Sequence, residues 1–97
     1  MKPQKYNEVL FQFLSMDDVG ELRGTIVVRD NQMVIDIPVN GRPTFVIIGS
    51  DQEGFYEGDN STRGAPRVHV RWARFGPVFA GRWVEDGVEY LFSFRLP

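Results

Sequence analysis

The residues of this chain that could carry chemistry lie near its C-terminus, where arginines alternate with apolar residues. Residues 61–84 contain five arginines and no acidic residue, and they include the single histidine, His69. Arginine makes bidentate contacts with carboxylates and phosphates. An uneven distribution of charge along a chain also points to a charged partner. The segment therefore predicts that the protein binds an anionic small molecule or an acidic protein.

Two predicted hairpin turns indicate which of these side chains share a face. Two-residue loops at Phe75-Gly76 and Asp86-Gly87 set the pairing of the last three strands, and the first of them places His69 opposite Arg82. Side chains alternate between the two faces of a strand, so the arginines fall on one face and the aromatic residues on the other. The predicted anion-binding or partner-binding face comprises Arg67, His69, Arg71, Arg82 and Arg95.

Small residues occupy the centre of this face, and Glu89 is its only predicted acid. We expect the surrounding arginines to lower the pKa of His69 and to keep the imidazole neutral. A histidine without a neighbouring carboxylate does not form a Ser-His-acid set. We therefore predict a binding or interaction protein with no catalytic residues.

Composition narrows the function further. The chain has one histidine and no cysteine, which excludes disulfides and leaves too few ligands for a structural zinc site. No metal or cofactor is predicted. Nucleic acid is disfavoured, because a single-strand platform needs aromatic and basic side chains on the same exposed face. No apolar run approaches the roughly 18 residues of a membrane span, and no cleavable leader is evident, so we expect a cytoplasmic protein.

The aromatic face offers an alternative site. If the strands close into a small barrel, Trp72, Trp83 and Tyr90 line its interior and could bind a small apolar ligand. Gly81 is interpreted as making room for Val70 and Phe92. The segment Gly81-Arg82-Trp83 resembles the Gly-x-Trp motif of lipocalin-like barrels. That motif lies in the first strand of the family, whereas this segment is near the C-terminus, so no residue role is carried over.

A polar loop carries a second partial resemblance. Residues 59–64, Asp-Asn-Ser-Thr-Arg-Gly, resemble half of the signature of PilZ cyclic-dinucleotide domains, whereas the upstream arginine pair of that signature is missing. Asp, Asn and Ser also favour turns, because their side chains bond to nearby backbone groups. On that local interpretation the motif stabilises its own loop.

The elements that position these residues are mainly β. A chain of 97 residues is close to the usual size of one domain, roughly 100–150 residues, which predicts a single domain over residues 1–97. From Glu21 onward, short apolar segments alternate with turn residues, which predicts six or seven antiparallel strands in a meander. The weakest of these predicted strands covers residues 54–57. We expect a curled sheet or an up-and-down β-barrel. The first segment is predicted to form a short α-helix over residues 5–16, because five apolar residues follow helical spacing: Tyr6, Val9, Leu10, Phe13 and Leu14.

The predicted N-terminal strands are apolar on both faces. A two-residue loop at Asn40-Gly41 places Val46 and Ile48 on the face of Ile35, and Phe45 and Ile47 on the opposite face. A sheet that is apolar on both faces needs cover on both sides. The N-terminal helix or a second copy of the chain would supply that cover, so we also expect a homo-oligomer.

Overall fold

Eight antiparallel strands close into an up-and-down barrel in which each strand pairs with its neighbours along the chain and the last pairs with the first. The computed structural model describes residues 4–39 and 45–96. The strands are β1 (Gln4–Leu14), β2 (Val19–Arg29), β3 (Gln32–Ile37), β4 (Phe45–Asp51), β5 (Phe55–Asp59), β6 (Val68–Phe75), β7 (Val78–Glu85) and β8 (Val88–Arg95). The predicted antiparallel barrel is confirmed, with more strands than the sequence indicated.

The predicted N-terminal helix is wrong, because residues 4–14 form β1, the strand that closes the barrel against β8. A β-bulge lies between Tyr6 and Val9, and Glu8 within it has a φ of 57°. A bulge adds one residue to a strand. It therefore puts Tyr6 and Val9, three residues apart, on the same side of the strand, where both contact the core. This spacing imitates the i, i+3 pattern of a helix.

Aromatic rings fill the barrel interior. Phe11 stacks on Phe92 with centroids 5.8 Å apart, and Phe79 stacks on Phe94 at 5.0 Å. An eight-stranded barrel is just wide enough for its own side chains to fill it. The buried apolar residues come from seven of the eight strands and from the residue that follows β8. They are Val9, Phe11, Ile26, Met33, Ile35, Ile37, Phe45, Ile47, Val68, Val70, Trp72, Phe79, Trp83, Phe92, Phe94 and Leu96.

The turn between β7 and β8 lies where the sequence predicted it. Trp83 pairs with Tyr90, and Asp86 and Gly87 form the loop with φ angles of 47° and 85°. Positive φ at both central positions is typical of a tight hairpin turn. The turn at Asp30-Asn31 is confirmed as well, since Arg29 pairs with Gln32.

The pairing of β6 with β7 differs from the prediction by two residues. The turn lies at Gly76-Pro77, with Phe75 opposite Val78, so His69 lies opposite Val84 and not opposite Arg82. Gly76 has a φ of 62°, which suits glycine at the first central position of a hairpin turn. Because the shift is an even number of residues, every side chain keeps its predicted face.

Gly81 makes room for a different neighbour from those predicted. A Cβ atom there would collide with the backbone carbonyl of Arg71 on β6, rather than with Val70 or Phe92. The glycine therefore allows β6 and β7 to approach closely.

The pairing of β3 with β4 differs from the prediction by one residue, and this reverses β4. Ile37 pairs with Phe45, so Phe45 and Ile47 are buried whereas Val46 and Ile48 face outward. A shift of one residue exchanges the two faces of a strand. The predicted turn at Asn40-Gly41 lies outside the described residues.

The outer face of β2–β4 carries an apolar row of Val27, Val34 and Ile48 in register. No helix packs on it within residues 4–39 and 45–96, where every regular element is a strand. Cover by a second copy of the chain stays a prediction. In the same described ranges, no helix is long and apolar enough to cross a membrane.

Candidate functional site

A groove of about 940 Å³ crosses the outside of the barrel over β5, β6, β7, β8 and β1. Its floor is a row of small side chains in register, with Ala73 opposite Ala80 and Ala80 opposite Ser93. Phe55 continues the row on β5 and Gln12 continues it on β1. The groove exists because these central residues are short, while longer side chains flank them on one side and Phe75 flanks them on the other.

One side of the groove is half charged and half apolar. Arg71 on β6 pairs with Arg82 on β7, and Arg82 pairs with Leu91 on β8. Leu14 on β1 pairs with Leu91 and continues the row to Val19 on β2. The guanidinium groups therefore lie toward one end of this wall, and the aliphatic side chains lie toward the other.

The exposed apolar residues of the described chain concentrate here. Of the seven large apolar side chains that are exposed among residues 4–39 and 45–96, four line the groove: Leu14, Val19, Phe75 and Leu91. Phe75, at the end of β6, is 67% exposed. Scattered exposed apolar residues are normal, but a contiguous group marks an interaction surface.

Arg71 is held over an aromatic ring. Its guanidinium carbon lies 3.9 Å from the centroid of the Phe55 ring, which is the geometry of a cation–π contact. Within the described ranges Arg71 has no ion pair with a carboxylate. Stacking therefore positions the Arg71 guanidinium. Glu57 lies directly opposite Arg71 on β5, but its carboxylate contacts Nε2 of His69 and makes no ion pair with Arg71.

Arg82 is already paired. Its Nε donates a hydrogen bond to Oε1 of Glu89 on β8. This bond raises the pKa of Arg82 and lowers the pKa of Glu89, because it favours the charged form of each group.

His69 lies beside two carboxylates, contrary to the prediction. Its Nδ1 is 2.7 Å from Oδ1 of Asp59, and its Nε2 is 2.8 Å from Oε2 of Glu57. These hydrogen bonds raise the pKa of His69, so the expected lowering by arginines is wrong. Both acids belong to β5, whose pairing with β6 places Asp59 opposite His69. Glu89 is therefore not the only acid on this face.

The structure separates the other two predicted arginines from the groove. Arg67 precedes β6, and its backbone N–H donates to Oδ1 of Asp86 in the β7–β8 turn. Arg95, at the end of β8, pairs with Val78. These two residues lie toward opposite ends of the barrel. Of the residues predicted for this face, Arg71 and Arg82 lie together at the groove, and His69 is two residues before Arg71 on β6.

Several groove residues were missed at the level of sequence. Leu14 and Val19 were assigned to a helix and its flank, so nothing placed them beside Leu91. Phe55 belongs to β5, which was predicted only as a weak strand. Closure of the barrel brings β1 next to β8. This contact was not predicted, because residues 5–16 were assigned to a helix.

The three residues of the alternative interior site are not equivalent. Trp72 is buried, donates to Sδ of Met33 at 3.3 Å and stacks on Tyr56 at 5.6 Å. A second pocket, of about 250 Å³, lies at one mouth of the barrel and is lined by Trp83 and Tyr90 but not by Trp72. Of the three residues predicted for the interior site, only Trp83 and Tyr90 line this pocket at the barrel mouth.

The loop at residues 59–64 uses its polar side chains locally. Oδ1 of Asn60 accepts hydrogen bonds from the backbone N–H groups of Val46 and Thr62, and its Nδ2 donates to the carbonyl of Pro66. Ser61 donates its hydroxyl to the carbonyl of Val46. The bonds from Asn60 to Thr62 and Pro66 stabilise the loop itself, as the local interpretation predicted. The bonds to Val46 instead hold the loop against β4, and Asp59 contacts His69.

Fold and groove together define a small closed antiparallel β-barrel with a mainly apolar exterior groove that is lined by Arg71, Arg82 and Glu53. Comparison with protein-family models and with curated proteins finds no match to this chain. Within residues 4–39 and 45–96, no three His, Asp or Glu side chains are grouped so that they could hold a metal ion.

Proposed function

We propose that this protein is a non-catalytic binding protein whose exterior groove holds an amphipathic anion. By this we mean a ligand with an apolar body and one carboxylate, sulfonate or phosphate group. The observation that carries the proposal is the position of Arg71, a guanidinium without an acidic partner in the described chain, at the edge of an exposed apolar groove.

The apolar body would lie along the floor and the aliphatic part of the wall. Ala73, Ala80 and Ser93 leave the space, and Leu14 and Leu91 present apolar surface that is open to solvent. Covering such surface stabilises a complex by about 25 cal/mol per Å² of apolar area removed from water. A ligand for this groove therefore needs an apolar body as well as an anionic group.

The anionic group would bind where Arg71 and Arg82 lie opposite each other. Like charges directly opposite on neighbouring strands repel, and Glu89 neutralises only Arg82. An anion between the guanidinium groups would relieve this repulsion and accept several N–H bonds at once. Stacking on Phe55 restrains Arg71, so less side-chain entropy is lost on binding.

The surroundings of His69 support a protein without catalytic residues. Both of its ring nitrogens contact carboxylates, so neither is free to take a proton from a substrate. We propose that His69, Glu57 and Asp59 tie β5 to β6 beside the groove.

The dye 1-anilinonaphthalene-8-sulfonate tests this proposal, because it combines an aromatic body with a sulfonate. We expect its fluorescence to rise with the native protein and to fall with increasing salt, since the ion pair is screened. Arg71→Ala should weaken binding about tenfold, the scale of one lost charge-assisted contact, and Ala80→Trp should abolish it by filling the floor.

Matched variants on the other side of the barrel provide the controls. Arg29→Ala removes an exposed arginine from β2, and Thr25→Trp adds an indole to the outer face of the same strand. Neither should change dye binding. Equal binding by Ala80→Trp and wild type would overturn the groove as the ligand site.

A second candidate site for a small ligand is the pocket at the barrel mouth. Its support is the presence of Trp83 and Tyr90 in the wall of a cavity of about 250 Å³. A ligand bound there would be unaffected by Ala80→Trp, so this variant distinguishes the two sites.

A further inference from the structure

We propose that the pocket at the barrel mouth binds a small organic cation, namely an alkylated ammonium group. The proposal concerns a different site from the groove and a ligand of opposite charge. Its walls are four aromatic side chains, Phe13, Phe45, Trp83 and Tyr90, and three acidic residues also line it, Asp18, Glu21 and Glu85.

The aromatic rings are set at right angles to one another. The Phe13 and Trp83 rings have centroids 5.0 Å apart and an interplanar angle of 85°, and Phe45 and Trp83 have centroids 5.5 Å apart at 87°. Phe13 and Tyr90 are 6.3 Å apart at 88°. Phe45 and Trp83 are buried in these edge-to-face contacts, whereas the rings of Phe13 and Tyr90 are partly exposed, so a ligand in the pocket would contact chiefly these two rings. The faces of aromatic rings attract cations, and cages of such rings recognise quaternary ammonium groups.

Glu85 supplies the charge that distinguishes a cation from a neutral apolar ligand. Its side chain is half-buried, and its Oε1 accepts a hydrogen bond of 3.2 Å from the indole N–H of Trp83. Among residues 4–39 and 45–96, Glu85 has no ion pair with a lysine or arginine. A partly desolvated carboxylate is costly unless a cation is nearby.

The remaining lining residues agree with this assignment. Every charged residue in the described wall is acidic, and the others are apolar or glycine. The volume of about 250 Å³ is below the roughly 300–1,000 Å³ of sites for drug-sized ligands. The pocket therefore suits a compact head group, such as a trimethylammonium group, better than an extended chain.

Choline and its neutral carbon isostere, 3,3-dimethylbutan-1-ol, test the assignment on the full chain. The two tryptophan indole N–H signals in a ¹H–¹⁵N NMR spectrum report on separate places. Both indoles are buried, but Trp83 lines the pocket and donates to Glu85, whereas Trp72 donates to Met33 and does not line it. We expect choline to shift the Trp83 signal in a saturable manner while the Trp72 signal stays in place. The isostere should bind at least about tenfold more weakly, because it lacks the charge.

Glu85→Gln removes the charge but keeps an acceptor for the Trp83 N–H, so it should fold and weaken choline binding about tenfold. Asp36→Asn, which removes a half-buried acid from the outer face of β3, is the matched control and should leave choline binding unchanged. Equal affinity for choline and the isostere would overturn the cation assignment, as would unchanged binding by Glu85→Gln. No shift of the Trp83 signal would overturn the site itself. None of these results depends on the anionic dye in the groove.

Discussion

Arg71 and Arg82 lie directly opposite each other on β6 and β7, with both side chains on the outside of the barrel. Two guanidinium groups in such a pair repel each other. Glu89 accepts a hydrogen bond from Arg82, and Phe55 stacks under Arg71. Within the described ranges Arg71 is left without an ion pair at the edge of the groove, and this is where we propose that an anion binds.

Removing Glu89 should strengthen anion binding while weakening the fold. In Glu89→Gln, Arg82 loses its carboxylate partner, so both guanidinium groups become available to the sulfonate dye. We expect tighter dye binding at low salt and a slightly lower melting temperature, because the repulsion between the two arginines is no longer offset. Asp36→Asn, on the outer face of β3, is the control. Weaker binding by Glu89→Gln would contradict the role given to Arg82.

His69 makes stability depend on pH in a defined direction. Hydrogen bonds to Asp59 and then to Glu57 raise its pKa from 6.5. The stabilisation is complete below pH 6.5, where His69 is charged in both folded and unfolded chains. It is lost as the pH rises through the higher pKa of the folded state.

Thermal unfolding of wild type and His69→Gln from pH 6 upward measures this effect. The difference in stability should shrink with rising pH and should stay below about 1 kcal/mol, because the side chains are largely exposed to solvent. A difference that is constant across this range would show that the imidazolium makes no contribution.

Gly49 and Trp72 form a packing pair in the core. A Cβ atom on Gly49 would run into the indole ring of Trp72. Gly49→Ala should therefore cost about 1–3 kcal/mol through overpacking. Adding Trp72→Phe should recover part of that loss, because the smaller ring leaves space, and a double-mutant cycle measures the coupling.

Gly81→Ala provides the contrast to that pair. Its Cβ atom would meet the backbone carbonyl of Arg71, which no side-chain change can move. The same Trp72→Phe substitution should give it no comparable rescue. Equal rescue of both alanine variants would mean that the indole ring does not set the cost at Gly49.

Phe11 tests whether β1 closes the barrel. It is fully buried and contacts the rings of Phe92 and Phe94. Phe11→Ala should lower the free energy of unfolding by about 3–5 kcal/mol, as expected for a large ring removed from a core. Gln12→Ala, on the outer face of the same strand, should have little effect in chemical denaturation. Equal effects of the two substitutions would contradict the alternation of β1.

Two errors of register show what a single sequence determines here. The β6–β7 prediction was wrong by two residues, so the faces of Arg71 and Trp72 were still correct. The β3–β4 prediction was wrong by one residue, so Phe45 and Val46 exchanged faces. Period-two alternation identifies the faces within one strand, but loop length decides how those faces combine between strands.

The rest of the site depends on contacts that are distant along the chain. The bulge at Tyr6–Val9 gave β1 a helical spacing, which hid the neighbours that Leu14 and Val19 have in the barrel. The weak strand predicted over residues 54–57 left Asp59 in the following loop, and no turn set its pairing with β6, so neither acid was placed beside His69. The arginine face was thus predictable from local alternation, whereas the groove required closure of the barrel.

The most direct test of the central claim is a ¹H–¹⁵N NMR titration with decanoate, an apolar chain that carries one carboxylate. We predict saturable shifts of the backbone signals of Ala73, Ala80 and Ser93 in the groove floor, with no change at Val27 and Val34 on the opposite outer face. Arg71→Ala should weaken the binding. Shifts at Val27 and Val34, with no shifts at the residues of the groove floor, would contradict the claim that the groove binds an amphipathic anion.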